Sequence, residues 1–432
     1  MTEPSLTPVR VEKALGLLPE IEALEPLRAL LVSISRPDER TLWSSSGPYL
    51  TLGKRGVQPE ELRHRMPPVF HAITEHLQGL YGAYVEALEC QQRADGTGAV
   101  AALLRAGRSE ERVARLNQAR AWYDVALRLS QGLQDRRPEV ESLRSLGELF
   151  TGLGQYAEAA RHFQRALAIA EAEFDQAGAV AACEGLGHTA LALGQGVGAK
   201  AWYARGLRLA QAAGDQRQIG RLERFLGERA RRHGEATSAG EHLRRARECL
   251  EAVDAPEEMA ALLNTQGQLE AQLGRHAEAL RAYREALAWV QRVSRDAGLE
   301  VTIRLSLAEL HLEAGRFLDG EEEMRRAEQV AIAGNLAGRL VQIYTVMGRL
   351  RGRQLDETGF VFFEQAIELS RMLERSPAAV AQVYLEYGLF RERLGQRDEA
   401  RAYLERAREI FGAVGDALDR DRVDAELQKI TA

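Results

Sequence analysis

Residues 143–167 read LRSLGELFTGLGQYAEAARHFQRAL and carry two apolar stripes at helical spacing. The first stripe ends at Phe150 and the second begins at Ala159, with Gly154 in the short segment between them. Apolar residues that recur three and four positions apart indicate amphipathic helices, and a glycine between two such runs is typical of a tight turn. The stretch therefore predicts two helices that pack against each other as a hairpin.

The hairpin pattern recurs along the chain with a period of 40 residues. A single unit of two helices cannot bury its apolar faces alone, so units of this kind stack into arrays. The sixth unit is displaced by one residue, and the seventh departs furthest from the pattern. The sequence predicts an all-α, right-handed α-solenoid of about eight helix-hairpin repeats. A glycine in the first helix marks successive units at Gly147, Gly187, Gly227 and Gly267.

The segments on either side of the array differ from it. Residues 1–98 do not follow the period, and they predict a mostly helical, non-repeat N-terminal domain. The array itself is assigned to residues 99–415. An amphipathic segment in residues 416–432 predicts a C-terminal capping helix, because the last hairpin of an array needs a cover for its apolar side. Val423 and Leu427 of this helix favour either such a cap or a dimer contact, so a homodimer is kept as an alternative.

The composition favours a soluble intracellular protein. The 432 residues carry a net charge of -6, which argues against a dedicated nucleic-acid binder. The three cysteines are far apart and form no CxxC pair, as expected in a reducing compartment. No apolar run approaches the ~18 residues of a membrane helix, and the N-terminus lacks the pattern of a signal peptide. We therefore predict a cytoplasmic protein without membrane contact.

Sequence patterns that would carry catalysis or hold a cofactor are lacking. The glycine-rich segment 193–198, LGQGVG, has no preceding strand and no Lys-Ser/Thr, so it does not predict a phosphate-binding loop. His71 and His76 are five residues apart, which does not place two metal ligands on one helix face. No serine lies in a GxSxG pattern. The sequence therefore predicts no catalytic residue, no cofactor and no metal, and hence a protein that is not an enzyme.

The pattern L-x-x-L-G-x-x-F at 143–150, followed by A-x-x-x-F at 159–163, resembles the tetratricopeptide repeat. Similar units cover about 310 of the 432 residues. The period of 40 is longer than the usual repeat of about 34 residues. This longer form resembles repeats of spindle-orientation adaptors and of bacterial peptide receptors and transcriptional activators. In the Rap-type peptide receptors a non-repeat helical domain also precedes the array.

The resemblance implies a concave groove lined by the first helix of each unit. Segment 221–233, RLERFLGERARRH, places several arginines on that helix of one unit, and Asn264 and Gln268 lie one turn apart in the next. Arginine binds carboxylates through two parallel hydrogen bonds, and an amide both donates to and accepts from a peptide backbone. Such charges also pair with each other, as Arg224 and Glu228 would at i, i+4 spacing. The residues predicted to contact a partner are Arg144, Glu148, His188, Arg221, Arg224, Glu228, Asn264, Gln268 and Arg349.

These features predict a non-enzymatic scaffold that binds a peptide or protein segment, acidic or carboxyl-terminal, in the groove. The alternative is a bacterial regulatory receptor in which a peptide or partner on the array controls the N-terminal domain, since small shifts at each repeat interface move distant parts of a solenoid. A DNA-binding regulator is the weakest alternative. Its only support is the basic segment 54–66, KRGVQPEELRHRM, which Pro59 and the following Pro67 leave too short for a recognition helix.

Overall fold

The structure, a computed structural model, describes residues 82–431 except for short gaps. The predicted N-terminal domain of residues 1–98, with its basic segment 54–66 and with His71 and His76, lies largely outside the described residues. The gaps within the described range are residues 84–85, 88, 92, 113–115, 295, 335, 373–376 and 415–416.

All regular secondary structure among the described residues from Gly96 onward is helical, with seventeen α-helices and one π-helical turn. Odd-numbered helices come first in each hairpin, even-numbered helices come second, and the last helix follows the final hairpin. The helices are α1 (Gly96–Arg112), α2 (Leu116–Ser130), α3 (Arg137–Gly152), α4 (Tyr156–Ala172), α5 (Gln176–Ala192), α6 (Gly196–Ala213), α7 (Gln216–Arg232), α8 (Ala236–Glu251), α9 (Pro256–Gln272), α10 (His276–Trp289), α11 (Ala297–Glu313), α12 (Phe317–Ala333), α13 (Ala337–Arg353), α14 (Gly359–Met372), α15 (Pro377–Arg393), α16 (Arg397–Val414) and α17 (Ala417–Thr431).

The chain divides into two compact units, residues 1–149 and 150–432, and the division falls within α3. In the first unit, α1 and α2 pack against each other. In the second unit, each odd helix from α5 to α15 packs against the even helix that follows it, and each even helix packs against the next odd one. From α7 to α15 successive odd helices also contact one another and so form one layer. This arrangement confirms the predicted all-α fold of sequential helix hairpins.

Small residues lie where the helices cross, as the repeat pattern predicts. A Cβ atom added at Gly187 of α5 would lie 2.3 Å from Cε1 of Tyr203 on α6, and one at Gly267 of α9 would lie 2.6 Å from Cε1 of Tyr283 on α10. Between hairpins, a Cβ atom at Gly185 would lie 2.3 Å from Cε1 of Phe163 on α4. Glycine is therefore needed at these crossings so that a buried ring can pack directly on the backbone.

The turn inside a hairpin needs one residue with left-handed backbone geometry. Gly194 and Gly274 have φ values of 70° and 74° at this position, where residues other than glycine cost about 1–2 kcal/mol. In the turn between α13 and α14 the equivalent residue is Leu355, with a φ of 54°. The seventh unit thus departs from the pattern in its turn as well as in its helices.

A π-helical turn accounts for the one-residue displacement of the sixth unit. Helix α9 begins 40 residues after α7, whereas α11 begins 41 residues after α9. The extra residue falls where α10 ends, at the π-helical turn Val290–Ser294. A π-helical turn holds one more residue than an α-helical turn, so the insertion is absorbed without disturbing the helices on either side.

The last helix covers the final hairpin. Helix α17 packs on α16, where Val423 and Leu427 are buried in a cluster with Phe411. These two apolar side chains are therefore buried inside the folded chain and are not available as a dimer contact. No helix in the described part of the chain is long and apolar enough to cross a membrane.

Candidate functional site

Three successive odd helices, α5, α7 and α9, carry polar residues at equivalent positions of one face. They begin 40 residues apart, and α7 packs directly against α9, so residues at equivalent positions of the helices form one column. One column comes from the ninth residue of each helix, and another comes from the residue one turn later. We call this surface the odd-helix face; it comprises Glu184, His188, Arg221, Arg224, Glu228, Asn264 and Gln268.

Arg221 on this face forms an ion pair between hairpins. Its Nε donates to Oε1 of Glu184 at 2.9 Å, and its Nη2 donates to the other carboxylate oxygen. The side chain of Glu184 is buried, and this guanidinium supplies it with a counter-charge. The pair connects α7 to α5, and Arg221 therefore has a packing role.

An ion pair at i, i+4 spacing forms between Arg144 and Glu148, whereas the predicted pair of Arg224 with Glu228 does not form. On α3, Nε of Arg144 lies 3.7 Å from Oε1 of Glu148. On α7, Glu228 accepts hydrogen bonds from Nε and Nη2 of Arg231, both at 2.8 Å, and not from Arg224. The predicted pair of Arg224 with Glu228 is therefore wrong, because Arg231 offers both carboxylate oxygens a donor.

Two further predicted residues also have partners within the chain. Gln268 donates from Nε2 to Oγ of Ser306 on α11 at 3.3 Å. Arg349, four hairpins away from Glu184 along the chain, forms an ion pair with Glu309. These contacts link successive odd helices and account for both side chains without a ligand.

Arg224 differs from the other arginines of the odd-helix face. It forms no ion pair or hydrogen bond with any described residue, and its Nε is buried without a partner. Its Cζ lies 4.3 Å from the centroid of the Phe225 ring, in cation–π geometry. Burial lowers the pKa of the Arg224 guanidinium from its ordinary range. The enclosed guanidinium thus lies against an aromatic ring, and the carboxylates of Glu228 and Glu184 act on its charge from a distance without forming an ion pair with it.

Tyr203 and Asn264 also present polar atoms that lack partners. The hydroxyl of Tyr203 and Oδ1 of Asn264 are both buried without a hydrogen bond, and Asn264 is only 7% exposed. An unsatisfied buried polar group costs about 1–3 kcal/mol. Among the described residues, Tyr203, Arg224 and Asn264 alone combine a buried, unsatisfied side-chain atom with no hydrogen bond or ion pair elsewhere on the side chain.

His188 connects this group of residues. Its exposed ring meets Phe225 edge to face with centroids 4.4 Å apart, and it meets Tyr203 in the same way at 5.6 Å. The densely packed surroundings, followed by the charges of Arg224 and Arg221, lower the pKa of His188 to about 4. The imidazole is therefore neutral at neutral pH, and one ring nitrogen can accept a hydrogen bond while the other donates.

Sequence reasoning missed Tyr203 and Phe225 as members of the site. Tyr203 occupies the aromatic position of the repeat, so its ring predicts packing and gives no sign of an unpartnered hydroxyl. Phe225 had a usable signal: neighbouring units have the small residues Gly185 and Thr265 at the equivalent position. A large ring where the repeat otherwise keeps small side chains marks a local departure from the packing pattern.

Sequence models of the tetratricopeptide repeat family match residues 98–172 and 381–411. With the stacked hairpins and the glycine–aromatic crossings, these matches confirm the predicted resemblance. The chain is a tetratricopeptide repeat protein, with repeats of 40 residues in place of about 34. A comparison with curated proteins finds no match.

Two solved structures share the fold at low sequence identity. A Rap protein complexed with Competence and Sporulation Factor is 11% identical, with a TM-score of 0.50, and the match covers 78% of this chain and 98% of that one. The apo form of the quorum sensor NprR from B. thuringiensis is 12% identical, with a TM-score of 0.51, and the match covers 81% of this chain and 99% of that one. Both are tetratricopeptide-type folds similar to this one.

Proposed function

We propose that this protein binds an extended peptide or protein segment on the odd-helix face of α5, α7 and α9, and that it acts through binding and not as an enzyme. The observation that carries the proposal is the set of buried polar atoms of Tyr203, Arg224 and Asn264 that have no partner in the chain. Each raises the free energy of the unliganded fold by about 1–3 kcal/mol. A bound segment that supplies the missing hydrogen bonds recovers that free energy on binding.

Asn264 is suited to hold the backbone of such a segment. An amide side chain offers an acceptor oxygen and two donor hydrogens, which match the N–H and C=O groups of one peptide unit. A segment of about eight residues, at ~3.3 Å per residue, is long enough to cross three helices spaced by ~10 Å. The odd-helix face therefore has the dimensions of a site for a short extended segment.

The proposal is tested by selecting random peptides of about twelve residues on the full chain and by measuring the affinity of the enriched peptides by calorimetry. Asn264→Leu keeps the volume of the side chain and removes its polar atoms. We expect this variant to bind the selected peptides at least about tenfold more weakly. Its thermal midpoint is expected to be unchanged or higher, since an unsatisfied buried atom is lost.

Gln211→Ala is the matched control, because Gln211 is an exposed amide at the end of α6, outside the odd-helix face. Selected peptides that bind Asn264→Leu as tightly as the unmodified chain would contradict the proposal, and so would a selection that enriches no peptide. Mass spectrometry of the peptides after incubation tests the non-enzymatic part, for which intact peptides are expected.

A regulatory receptor is the second candidate function. The similar NprR structure is that of a quorum sensor, and the similar Rap protein was solved with Competence and Sporulation Factor. In this chain, the pair Arg221–Glu184 and the hydrogen bond Gln268–Ser306 connect successive odd helices within the proposed site. A ligand that changes the spacing of these helices would therefore also shift helices further along the array. Altered hydrogen exchange in residues 1–98 on peptide binding is expected for a receptor and not for a passive scaffold.

A further inference from the structure

We propose that the turn between α13 and α14, together with the start of α12, is a docking surface for a second protein that presents apolar side chains flanked by Lys or Arg. The surface consists of Leu318 on α12, Leu355 in the turn and Val361 on α14, which are 80%, 65% and 54% exposed. We call these three residues the apolar patch. None of them belongs to the odd-helix face, so this inference goes beyond the proposed function and does not depend on it.

Contacts of Arg351, near the end of α13, bring the turn and α12 together. Its Nη2 donates to Oε1 of Glu321 on α12 at 3.1 Å, and its Nη1 donates to Oδ2 of Asp356 in the turn at 3.4 Å. Glu321 lies one helical turn after Leu318, and Asp356 directly follows Leu355. The one guanidinium therefore connects the segments that carry these two apolar residues, although they belong to different hairpins.

The start of α14 lies beside the same segments. Phe317 and Phe362 pack against one hydrophobic cluster, which α11, α12 and α13 form. Phe317 precedes Leu318 and Phe362 follows Val361, so the buried rings fix the positions of the exposed side chains next to them. The apolar patch thus combines neighbouring segments of the sixth and seventh hairpins at one edge of the array.

Leu355 has a backbone conformation that packing within the chain does not explain. Its φ is 54°, whereas the turns of the neighbouring hairpins have Gly315 and Gly395 at this position, with φ values of 70° and 78°. Glycine adopts this left-handed geometry without the steric cost that a leucine has. Because Leu355 is exposed, burial within the chain does not offset that cost. Backbone strain that persists at one residue indicates a function for its side chain, and an exposed apolar group is suited to contact a partner.

Phe174, in the turn between α4 and α5, is also exposed and left-handed, with a φ of 56°. It lies at the opposite edge of the array, where one hairpin is joined to the next. No described residue in the next two turns along that edge, α6–α7 and α8–α9, is large, apolar and exposed. Phe174 is therefore isolated, whereas Leu355 belongs to a patch.

The charges around the apolar patch indicate the kind of partner. Four exposed acidic residues and two exposed basic residues at this edge form no ion pair with a charged group of the described chain: Glu313, Asp319, Glu357 and Glu364, and Arg316 and Arg353. Asp319 lies 3.8 Å from His311, but burial lowers the pKa of that imidazole from 6.5, so it is neutral at neutral pH. The patch is thus surrounded by an excess of negative charge.

This charge excess argues against two other occupants of the patch. A second copy of the chain would bring the same acidic groups against it, and an anionic membrane would repel them, because like charges that face each other across an interface are unfavourable. Lys or Arg around the apolar residues of a partner would complement the acidic groups instead. We therefore choose a second protein with basic residues around an apolar centre.

The probe for this surface is a displayed library of a small three-helix protein with one randomised helix face. Binders are selected on the full chain, and those that also bind Leu355→Gly are removed by counter-selection. Leu355→Gly gives the turn the residue that the neighbouring hairpins have, so its thermal midpoint should be unchanged or higher. We expect the remaining binders to carry apolar residues with more Lys and Arg than Asp and Glu.

The affinities of the selected binders are then measured by calorimetry. Leu355→Gly should weaken them at least about tenfold, because the apolar contact is lost. Val361→Ser should weaken them about fivefold or more. Val197→Ser is its matched control, since Val197 is exposed at the start of α6, four hairpins away, and it should change the affinity by less than about twofold. Glu357→Gln should weaken binding about threefold, and high salt should weaken it further.

Each of four results would overturn this inference: a selection in which no binder depends on Leu355, binders with an acidic face, self-association of the unmodified chain that Leu355→Gly abolishes, or binding to anionic vesicles that Leu355→Gly abolishes. Sedimentation of the chain alone and with the vesicles measures the last two. Asn264→Leu should bind the selected proteins as tightly as the unmodified chain. The test of the odd-helix face uses other residues, so either proposal can fail while the other stands.

Discussion

Two arginines of one helix face have different surroundings in this protein. Arg221 and Arg224 are three residues apart on α7 and have the same chemistry. Arg221 forms an ion pair with a buried carboxylate from the preceding hairpin, whereas Arg224 lies over a ring and forms no ion pair with a described residue. The first arrangement links two hairpins, and the second leaves the donors of a guanidinium without a hydrogen-bond partner in the described chain. The two residues should therefore respond in opposite ways to substitution.

Replacing Arg221 tests its packing role. Arg221→Gln leaves the buried carboxylate of Glu184 without its charge partner, which should lower the free energy of unfolding by about 1–3 kcal/mol. The change is measured by urea unfolding followed by circular dichroism. Arg208→Gln, which removes an exposed arginine from the neighbouring helix, should leave the free energy of unfolding within about 0.5 kcal/mol of its original value. A loss of stability at Arg224→Gln equal to that at Arg221→Gln would contradict the distinction.

The titration of His188 reports the field of Arg224. Desolvation, Arg224 and Arg221 lower the pKa of His188 from 6.5 to about 4. Because the folded pKa lies below that of the unfolded chain, the unfolded state binds the extra proton as pH falls from 6.5 towards 4, and stability falls with it. We expect Arg224→Gln to raise the pKa of His188 only part of the way, since desolvation remains.

The pKa of His188 is measured from its Cε1 proton resonance in titrations of the unmodified chain and of Arg224→Gln. A titration near 6.5 in the free, unmodified chain would show that the neighbouring groups do not lower the pKa of His188.

At the scale of helices, the hairpins are held by rings packed on glycines. Tyr203 is fully buried and its ring has no room to retreat from α5. Gly187→Ala places a Cβ atom 2.3 Å from that ring, which should lower the free energy of unfolding by about 1–3 kcal/mol through overpacking. Gly240→Ala is the matched control, because a Cβ atom on that helical glycine meets nothing within 4 Å.

The control Gly240→Ala should raise the free energy of unfolding. In a helix interior, alanine is more favourable than glycine by up to about 1 kcal/mol, so Gly240→Ala is expected to stabilise α8. The pair is compared by thermal and urea unfolding under the same conditions. Equal effects of the two substitutions would show that the crossing of α5 and α6 is looser than the packing of Tyr203 indicates.

Much of this element-level structure was predictable from the sequence. The spacing of Gly187 and Gly267 predicts the hairpins and their register, and the one-residue displacement of the sixth unit is visible before its structural cause is known. The π-helical turn Val290–Ser294 that absorbs the displacement was not predictable, because helical spacing does not distinguish where an extra residue is accommodated.

The positions of the candidate site residues along the helices were predictable, and their pairing was not. The equivalent positions of Arg224 and Asn264 follow from the 40-residue period. Which arginine lacks a partner does not, because the partner of Arg221 comes from 37 residues earlier, on another hairpin. The i, i+4 pairing rule considers only residues on one helix. It predicted that Glu228 pairs with Arg224, whereas in the folded chain Glu228 pairs with Arg231. A contact between hairpins decides the partner of Arg221, whereas Glu228 is paired within its own helix, at i, i+3 spacing.

At the scale of the whole molecule, stacked repeats interact mainly with their neighbours. A destabilising substitution in the last hairpin should therefore leave peptide binding several hairpins away unchanged. Val423→Asp places a carboxylate in the buried cluster beneath α17, which should destabilise the last hairpin by about 2 kcal/mol or more. Hydrogen exchange should rise in α15–α17, while the affinity of selected peptides for the odd-helix face stays within about twofold.

Arg420→Asp is the charge control for this experiment, since Arg420 is exposed on the same helix. It should raise exchange in α15–α17 far less than Val423→Asp does. A loss of peptide binding in Val423→Asp that matches its loss of stability would indicate that α7–α9 and the last hairpin unfold as one unit, contrary to a nearest-neighbour array.

The central claim is that the unpartnered polar atoms of Arg224, Tyr203 and Asn264 are completed by a bound segment. A crystal structure of the full chain with its tightest selected peptide tests it most directly. We predict an extended peptide across α5, α7 and α9, with a backbone group hydrogen-bonded to Asn264 and a hydrogen-bond acceptor on the Arg224 guanidinium. A peptide bound elsewhere, with these three residues still unpartnered, would contradict the account.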